Sequence, residues 1–325
     1  RRRMNAVTST SCLAAIDIGG THIKTLLTTD GFEPLAEGIA LAPTGAGMTG
    51  MLGAGCAEIR RLLGESGLPA DRLAGVGVSS FGLIDSAGGK GIFSMKSDIA
   101  GVDMVGIVSR ELGAPTIVGH DGHVAILGEH RFGAARGHSD VLHFVLGTGL
   151  ATGVMIGGRV VTGSRNVAGE FSHFVIESSD GAPCMCGRTG CAQTYLSESG
   201  VIAHARSLLE TEPRGALAAR VADGEPLSVR TVAECARAGD EVAVQVIDRY
   251  IRYLGSLATS AITALNPSIV VIGGGISLMG DQLLPPLRAQ VREQLLHESY
   301  ECPIELAALG QQSGGYGAIA LAAEA

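Results

Sequence analysis

The stretch LAAIDIGGTHIKTLLTTDG, residues 13–31, predicts two β-strands joined by a glycine turn. An apolar strand runs to Asp17, a pair of glycines turns the backbone, and a second strand continues until Asp30 and Gly31. Asp-Gly is a favoured hairpin dipeptide, so it closes the second strand. We therefore expect an antiparallel hairpin with a carboxylate at the end of its first strand.

A second stretch of the same design, VLHFVLGTGLATGVMIGG, occupies residues 141–158. Its order is again an apolar strand, a glycine turn, an apolar strand and a glycine pair. Two hairpins of one design in the two halves of the chain indicate a duplicated unit. Each hairpin is expected to open a separate α/β domain, with the glycine turns facing each other across a cleft.

Helical and extended patterns alternate along the rest of the chain. Helical spacing covers residues 48–67, 102–112, 122–133, about 240–265 and 315–325, and strand patterns cover 73–85, 114–121, 266–277 and 303–308. This alternation predicts an α/β protein. We expect an N-terminal domain of residues 1–120 plus about 310–325, and a C-terminal domain of residues 121–309, with the boundary at a strand end.

Composition narrows the class of protein. A chain of 325 residues is long for one core, and 46% hydrophobic with 17% charged residues is typical of a soluble globular protein. No apolar run reaches the roughly 20 residues that span a bilayer, and the Arg-Arg-Arg-Met start leads into polar residues instead of a signal sequence. We therefore expect a cytoplasmic protein without membrane contact. The net charge of −8 argues against a nucleic-acid partner.

Residues 173–191 contain a candidate metal site. His173 is followed by Cys184, Cys186 and Cys191, in a C-x-C-x4-C arrangement rich in glycine. One imidazole and three thiolates suit a tetrahedral structural zinc ion, and a closed set of four leaves no position for an activated water. A zinc-dependent hydrolase is therefore disfavoured. The alternative is that the cysteines are small buried apolar residues, which three cysteines on one glycine-rich loop make less favourable.

The first glycine turn is a candidate anion site. Gly19 and Gly20 allow close approach to backbone N–H groups, Thr21 adds a hydroxyl donor, and Lys24 adds charge. Asp17, at the strand end beside them, is placed to hold a hydrated magnesium ion. The sequence matches neither the Walker phosphate loop nor the dinucleotide fingerprint. Glycine hairpins are often only structural, which is the alternative interpretation.

The second glycine turn strengthens that prediction. The turn of the second hairpin consists of Gly147, Thr148 and Gly149. It corresponds to the turn with Gly19 and Gly20 in the first hairpin. If the two turns face each other, they form a two-sided clamp for phosphate groups.

Two further polar positions indicate how an alcohol substrate is handled. Asp121 follows an apolar strand and precedes a helix, so it is either a general base that accepts a proton from a hydroxyl group or a helix N-cap. Glu170 can accept hydrogen bonds from vicinal hydroxyls, and His173 can bind a hydroxyl through the ring nitrogen that does not face the metal. The chain has no Trp, so hydrogen bonding must select a sugar.

These motifs together resemble the ROK family of sugar kinases and sugar-responsive repressors, which have the actin-like ATPase fold. The motifs that carry the resemblance, from about residue 13 to the end of the sequence, are DIGGTHIK at 17–24, Asp121, GTG at 147–149, GEFSH at 169–173, CMCGRTGC at 184–191 and IGGG at 272–275. The combination of Gly-Glu-x-x-His with C-x-C-G-x-x-G-C is highly specific. Any one glycine turn alone would be weak.

The resemblance implies two actin-like domains around a cleft that binds MgATP and a hexose. It implies that Asp121 activates the 6-hydroxyl, that Asp17 and the turn after it serve magnesium and phosphate, and that Glu170 and His173 bind the sugar while His173 also ligates zinc. Gly82 matches the sugar-side Pro-Gly turn of the family, although Phe81 replaces the proline. The glycines Gly273, Gly274 and Gly275 would line the adenosine side. Many family members are homodimers or homotetramers, so an oligomer is expected.

Three residues depart from the family pattern. His120 stands where the kinases usually have Asn, Gln193 replaces a Glu after the last zinc cysteine, and Ser172 replaces a glycine. The first two positions contact the sugar in the family. An amide offers both donor and acceptor where a carboxylate only accepts. We therefore expect a shift from plain glucose to an amino or otherwise modified hexose such as kanosamine, N-acetylmannosamine or N-acetylglucosamine.

Two other functions compete with a kinase. A repressor of this family needs a DNA-binding helix-turn-helix ahead of the first hairpin, for which about a dozen residues are too few. A sugar-binding sensor without kinase activity is the second alternative, favoured by His120 and Gln193 and disfavoured by the retention of Asp17 and Asp121.

Overall fold

A computed structural model describes residues 11–325, and the basic start of the sequence lies outside them. The strands are β1 (Cys12–Ile18), β2 (His22–Thr29), β3 (Pro34–Leu41), β4 (Leu73–Ser80), β5 (Leu83–Asp85), β6 (Lys90–Phe93), β7 (Thr116–His120), β8 (Val141–Leu146), β9 (Leu150–Ile156), β10 (Arg159–Val160), β11 (Ile269–Gly273) and β12 (Ile304–Leu306). The α-helices are α1 (Gly47–Glu65), α2 (Met104–Leu112), α3 (Asp121–Phe132), α4 (Ala192–Leu196), α5 (Glu198–Thr211), α6 (Gly215–Ala222), α7 (Val229–Arg237), α8 (Glu241–Leu265), α9 (Leu284–Gln294) and α10 (Ser313–Ala322). Short 3₁₀ helices cover Ala70–Arg72, Phe171–His173, Gly275–Gln282, Glu298–Tyr300 and Gly310–Gln312.

The chain divides into two compact units. Unit 1 comprises the described residues up to Phe132, together with Thr162–Ala168 and Gln312–Ala325. Unit 2 comprises Gly133–Val161 and Gly169–Gln311.

The sheet of unit 1 places several strand ends along one edge. Its order is β3-β2-β1-β4-β7, with β1, β4 and β7 parallel and the β1–β2 hairpin antiparallel. Asp17 pairs with Ser79, and Ser79 pairs with Gly119 on the next strand. Because parallel strands end at the same edge, Asp17 and the start of α3 lie at one end of the sheet.

Both faces of this sheet are covered, which explains why its strands are apolar throughout. Ile16 and Val78 pack on one face with Leu52 of α1 and Val108 of α2. On the other face α10 approaches so closely that a Cβ at Gly77 would collide with the backbone oxygen of Ala318, and only glycine permits this approach.

Helix α3 belongs to unit 1, so the expected boundary near residue 120 moves to the end of this helix. The α3 and α10 backbones cross at glycines, because a Cβ at Gly317 would collide with the backbone oxygen of Val124. Beside this crossing Glu129 is fully buried and accepts a hydrogen bond from Ser313 Oγ at 2.7 Å. This close contact between distant segments places α3 with the strand-end acids.

Unit 2 repeats the sheet of unit 1 and buries it under a different set of helices. Its order is β10-β9-β8-β11-β12, with β8, β11 and β12 parallel and β8–β9 an antiparallel hairpin. The long helix α8 begins where the Asp240 carboxylate accepts from Ala243 N–H at 2.9 Å, and it ends at Asn266 in the left-handed region. Leu254 of α8 packs with Phe144 of β8 in the core.

The expected hairpins are both confirmed, with Gly157 and Gly158 at positive φ in the turn after the second. After the glycines that follow β11 the chain forms a 3₁₀ helix, and α10 begins at Ser313, two residues before the expected start. Among the described residues, no helix is long and apolar enough to cross a membrane.

Candidate functional site

The carboxylate of Asp17 lies at the strand-end edge of unit 1, beside the glycine turn. Burial raises the pKa of this carboxyl group, and the nearby charge of Asp121 adds to the effect, while the Ser79 hydroxyl and the charge of Lys24 oppose it. The structure therefore brings both predicted acids and the predicted lysine into one electrostatic neighbourhood. A divalent cation beside Asp17 would favour its charged form.

The first glycine turn has the close geometry that its residues predict. Gly19 N–H donates to the backbone oxygen of His22 at 2.9 Å, and a Cβ at Gly19 would lie 2.9 Å from that same oxygen. A Cβ at Gly20 would meet nothing within 4 Å, and Gly20 and Thr21 are exposed. The top of the turn is thus accessible to a ligand, while its base is held by the hairpin.

Asp121 is the first residue of α3, and 36% of its side chain is exposed. Its Oδ1 accepts from Gly122 N–H at 2.7 Å and lies 3.1 Å from His120 Nε2. A capping side chain would instead accept from the second or third N–H of the helix. The carboxylate is therefore oriented by its neighbours and remains accessible to a ligand.

Two histidines lie near this carboxylate, and sequence reasoning found only one of them. His120 is buried and meets His123 edge-on, with ring centroids 5.2 Å apart. Nε2 of His123 lies 2.8 Å from the backbone oxygen of Ala168. Burial, followed by the charge of His120, lowers the pKa of His123, so its ring is neutral at neutral pH. The H-x-x-H spacing across a helix start was the available signal.

At two other positions of unit 1 a glycine is required, because a Cβ atom would lie too close to neighbouring atoms. Gly82 has a φ of +88°, and its Cβ would lie 2.8 Å from Ile99 Cδ1. Gly314, at the start of α10, was missed by sequence reasoning; its Cβ would lie 2.6 Å from Asp17 Oδ2. The glycine cluster at 314–317 was the signal that could have indicated a close approach to the acid.

In unit 2 the two predicted glycine segments lie side by side. Gly147 N–H donates to the oxygen of Gly149 at 2.9 Å, and Gly147 oxygen accepts from Glu198 N–H at 2.8 Å. Gly274 has a φ of +83°, and its Cβ would collide with the backbone oxygen of Leu146. Thr148 at the top of the turn is exposed. The segment 273–275 therefore packs on the end of β8, beside the Gly-Thr-Gly turn.

The four predicted metal ligands are brought together in unit 2. One ligand atom from each of His173, Cys184, Cys186 and Cys191 lies within 4.8 Å of all the others. His173 Nδ1 is 3.8 Å from Cys184 Sγ, and Cys186 Sγ is 3.6 Å from Cys191 Sγ. Tetrahedral zinc with bonds of about 2.3 Å to sulfur separates its sulfur ligands by about 3.8 Å. The cluster has the size and donor types of a structural zinc site.

The loop that contains the cysteines forms a tight turn, which brings their sulfur atoms close to one another. Cys184 N–H donates to the Arg188 oxygen at 2.8 Å, and Gly187 turns the chain with a φ of +86°. Burial opposes ionisation of Cys186, but the N–H groups of Arg188 and the neighbouring thiols outweigh it and lower the pKa of Cys186 to about 6. Burial and hydrogen bonding to Cys186 raise the pKa of Cys191 to about 12. Cys186 thus ionises more readily than Cys191.

The predicted sugar-binding residues of unit 2 lie next to this cluster. Glu170 Oε2 accepts from Ser172 Oγ at 3.2 Å, and the backbone oxygen of Glu170 accepts from His173 N–H at 3.1 Å. Gln193 Nε2 lies 3.6 Å from the sulfur of Met185, the residue that separates Cys184 from Cys186 in the sequence. Ser172, which departs from the family pattern, is buried and orients the Glu170 carboxylate.

The mixed α/β architecture and its relatives define the class of the protein as an actin-like ATPase fold. A ROK family glucokinase from Streptomyces griseus, solved with glucose and AMPPNP, matches with a TM-score of 0.86 and 29% identity, over 97% of this chain and 100% of that chain.

The family itself is shown by sequence. The glucokinase of Halalkalibacterium halodurans is 31% identical over 304 residues, covering 93% of this chain and 92% of the relative. The N-acetylgalactosamine kinase AgaK of Shewanella sp. is 28% identical over 94% of this chain and 95% of the relative. The ROK family description matches residues 13–325, so this chain belongs to the ROK family.

Proposed function

We propose that the protein transfers the terminal phosphoryl group of MgATP to the 6-hydroxyl of a hexose or amino-hexose. The observation that carries the proposal is Asp121, an oriented and solvent-accessible carboxylate at a helix start, in electrostatic reach of a second acid, Asp17. The similarity to two sugar kinases over nearly the whole chain supports it.

In this proposal Asp121 accepts the proton of the sugar hydroxyl as that oxygen attacks phosphorus. Phosphoryl transfer demands mainly positioning and charge neutralisation, so one base and several donors are sufficient. Asp17 would hold the magnesium ion, which neutralises charge on the phosphates. Gly19, Gly20 and Thr21 would offer N–H and hydroxyl donors to phosphate oxygens, with Lys24 adding positive charge.

The residues of unit 2 take the binding roles. The segments 147–149 and 273–275 would contact the nucleotide, since both present backbone without side chains to block it. Glu170 would accept from sugar hydroxyls, and Ser172 fixes its orientation. His173, Cys184, Cys186 and Cys191 would hold a structural zinc ion that stiffens the loop and orients the His173 ring.

The identity of the sugar is the finer part of the proposal. His120 is buried against Asp121, and Gln193 carries an amide where the family usually has a carboxylate. Both changes replace a small or acceptor-only group at positions that contact sugar in the family. We therefore expect a preference for a hexose that bears an amino, acylamino or similar group over plain glucose.

The test is a coupled assay of ADP release with a panel of glucose, kanosamine, N-acetylmannosamine, N-acetylglucosamine and N-acetylgalactosamine. The kinase proposal is supported if at least one sugar is turned over and if this turnover requires both magnesium and ATP. Parallel reactions with polyphosphate identify the phosphate donor. A clear preference for plain glucose rejects the modified-sugar assignment but keeps the kinase.

A sugar sensor without catalysis is the second candidate, and the contact of His120 with the proposed base favours it. It predicts that sugars raise the melting temperature while no ADP is released. A homodimer or homotetramer is expected in either case, and light scattering after size-exclusion chromatography measures it.

A further inference from the structure

A cavity of about 670 Å³ lies among helices α5, α8 and α9 of unit 2, and none of the candidate site residues described above lines it. Seven of the eleven residues that line it are polar or charged: His204, Gln245, Asp248, Arg249, Arg252, Gln290 and Glu293. The volume is sufficient for a small organic ligand.

Arg249 is held in one orientation at this cavity. Its guanidinium lies 5.4 Å from the ring centroids of both Tyr195 and Tyr253, which stack with centroids 4.6 Å apart. Its Nη1 lies 2.6 Å from His204 Nδ1. A guanidinium fixed by aromatic faces loses little freedom on binding a ligand, so its remaining donors are preorganised.

His204 serves as the hydrogen-bond acceptor that completes this arrangement. Burial, together with the charges of Arg249 and Arg252, lowers the pKa of His204 to about 4. The ring is therefore neutral at neutral pH, and its Nδ1 accepts from Arg249. The histidine fixes the arginine without neutralising its charge.

Within residues 11–325, no carboxylate lies at ion-pair distance from Arg249 or Arg252. The cavity also contains two exposed carboxylates, Asp248 and Glu293, and the amides of Gln245 and Gln290. Two guanidinium groups suit an oxyanion such as a phosphate ester, and carboxylates and amides suit hydroxyl or amino groups. One ligand that satisfies both sets has a phosphate at one end and a polyhydroxy body.

We propose that this cavity is a binding site for the phosphate monoester of a small polyhydroxy compound, a sugar phosphate. Arg249 and Arg252 bind the phosphate, and the acidic and amide side chains bind the hydroxyl or amino groups. This goes beyond the proposed phosphoryl transfer, since none of these residues has a role in that reaction.

The cavity is physically connected to the cysteine loop through the two tyrosines. Tyr195 Oη accepts from Ala182 N–H at 2.8 Å, and Tyr253 Oη donates to Glu177 Oε2 at 3.4 Å. Both partners lie in the segment between His173 and Cys184. Arg249 therefore contacts the same aromatic pair that supports this loop.

The test is isothermal titration of the full chain with glucose 6-phosphate, glucosamine 6-phosphate and inorganic phosphate. Arg252→Gln is the main variant because Arg252 is exposed and outside the aromatic stack. Arg249→Lys keeps the charge but loses the planar fork. Arg206→Gln, an exposed arginine of α5 outside the cavity, is the matched control. Glu170→Gln separates this site from the proposed sugar site.

A sugar phosphate is expected to bind with a dissociation constant that Arg252→Gln and Arg249→Lys each weaken by about tenfold to a hundredfold, as for a lost charged hydrogen bond. Arg206→Gln should leave that binding unchanged, and Glu170→Gln should leave unchanged the component of binding that the two cavity variants weaken. Inorganic phosphate is expected to bind more weakly, because it lacks the hydroxyl groups.

Three results would overturn the proposal. Binding that Glu170→Gln removes and Arg252→Gln keeps would place the sugar phosphate in the proposed sugar site. Equal affinity for inorganic phosphate would show that no polyhydroxy body is recognised. A change of oligomeric state in Arg252→Gln, without any change in ligand binding, would assign the surface to a second copy of the chain. The titration needs no turnover, so it remains decisive even if no kinase activity is found.

Discussion

The two units have the same sheet but different residues at its strand ends. In both, a hairpin is followed by two parallel strands in the same order. Asp17 occupies the penultimate pair of the first hairpin, opposite Lys24, and Val145 occupies the same place in the second, opposite Ala151. One scaffold therefore presents an acid in unit 1 and an apolar residue in unit 2.

This difference teaches that the duplicated fold does not duplicate the chemistry. The apolar strands and glycine turns of both units satisfy the backbone and fill the core. Both units have glycine turns at their strand ends, but unit 1 adds two acids there, whereas unit 2 has Val145 beside its turn and thiols in a loop. Single side chains at equivalent positions should accordingly have very unequal effects.

Asp121→Asn should show the largest effect. The amide keeps the shape of the side chain but cannot accept a proton from an alcohol, so kcat should fall by about 10²–10⁴. Sugar and nucleotide affinities, measured by titration, should change little. Asp71→Asn, an exposed acid of unit 1, is the control and should keep full activity. Near-normal turnover of the Asp121 variant would mean that the base lies elsewhere.

Asp17→Asn tests the other acid of unit 1. Losing the charge is expected to weaken the binding of a magnesium-bound ATP analogue by about 1.5–3 kcal/mol, which is roughly tenfold to a hundredfold. Sugar binding should be unaffected. Val145→Asn at the equivalent place of unit 2 should not alter magnesium dependence. If both variants bind the magnesium complex as tightly as the parent does, Asp17 does not hold magnesium, and the two strand ends do not differ in this function.

Cys186→Ser tests the chemistry of unit 2. One zinc ion per chain is expected in the parent and none in the variant, measured by elemental analysis after dialysis. The melting temperature should fall, because the metal stabilises the folded loop. Cys302→Ser, at a partly buried cysteine outside the cluster, should retain the zinc. Unchanged metal content in Cys186→Ser would contradict the ligand assignment.

Gly317→Ala should give the smallest of these effects, and it concerns packing in unit 1. A methyl group would press on the backbone of α3, so the free energy of unfolding should fall by about 1–3 kcal/mol. A Cβ at Gly315, two residues earlier on α10, would meet nothing within 4 Å. Gly315→Ala should therefore change the free energy of unfolding by about 0.5 kcal/mol or less. Equal values from denaturant titration would argue against the close crossing of the helices.

Local patterns predicted much of this molecule. The hairpins, the long helix and the four clustered ligands follow from residues close together in sequence, whose spacing already limits their geometry. The boundary of unit 1 did not follow, because α3 is held there by α10, whose residues are far away in the sequence. Gly314 beside Asp17, and the cavity around Arg249, depend on the same kind of distant packing. The glycine cluster at 314–317 indicates a close approach of the backbone, but it does not identify the partner, which lies far away in the sequence.

Helix α10 follows β1 by almost the whole described chain, yet it covers one face of β1 and β4. Unit 1 can therefore complete the packing of this face only after residues 313–322 have been synthesised. Unit 2 needs only Gly133–Val161 and Gly169–Gln311, which emerge earlier. Although unit 1 contains the first strands to be made, it is the second of the two units to have all of its residues available for folding.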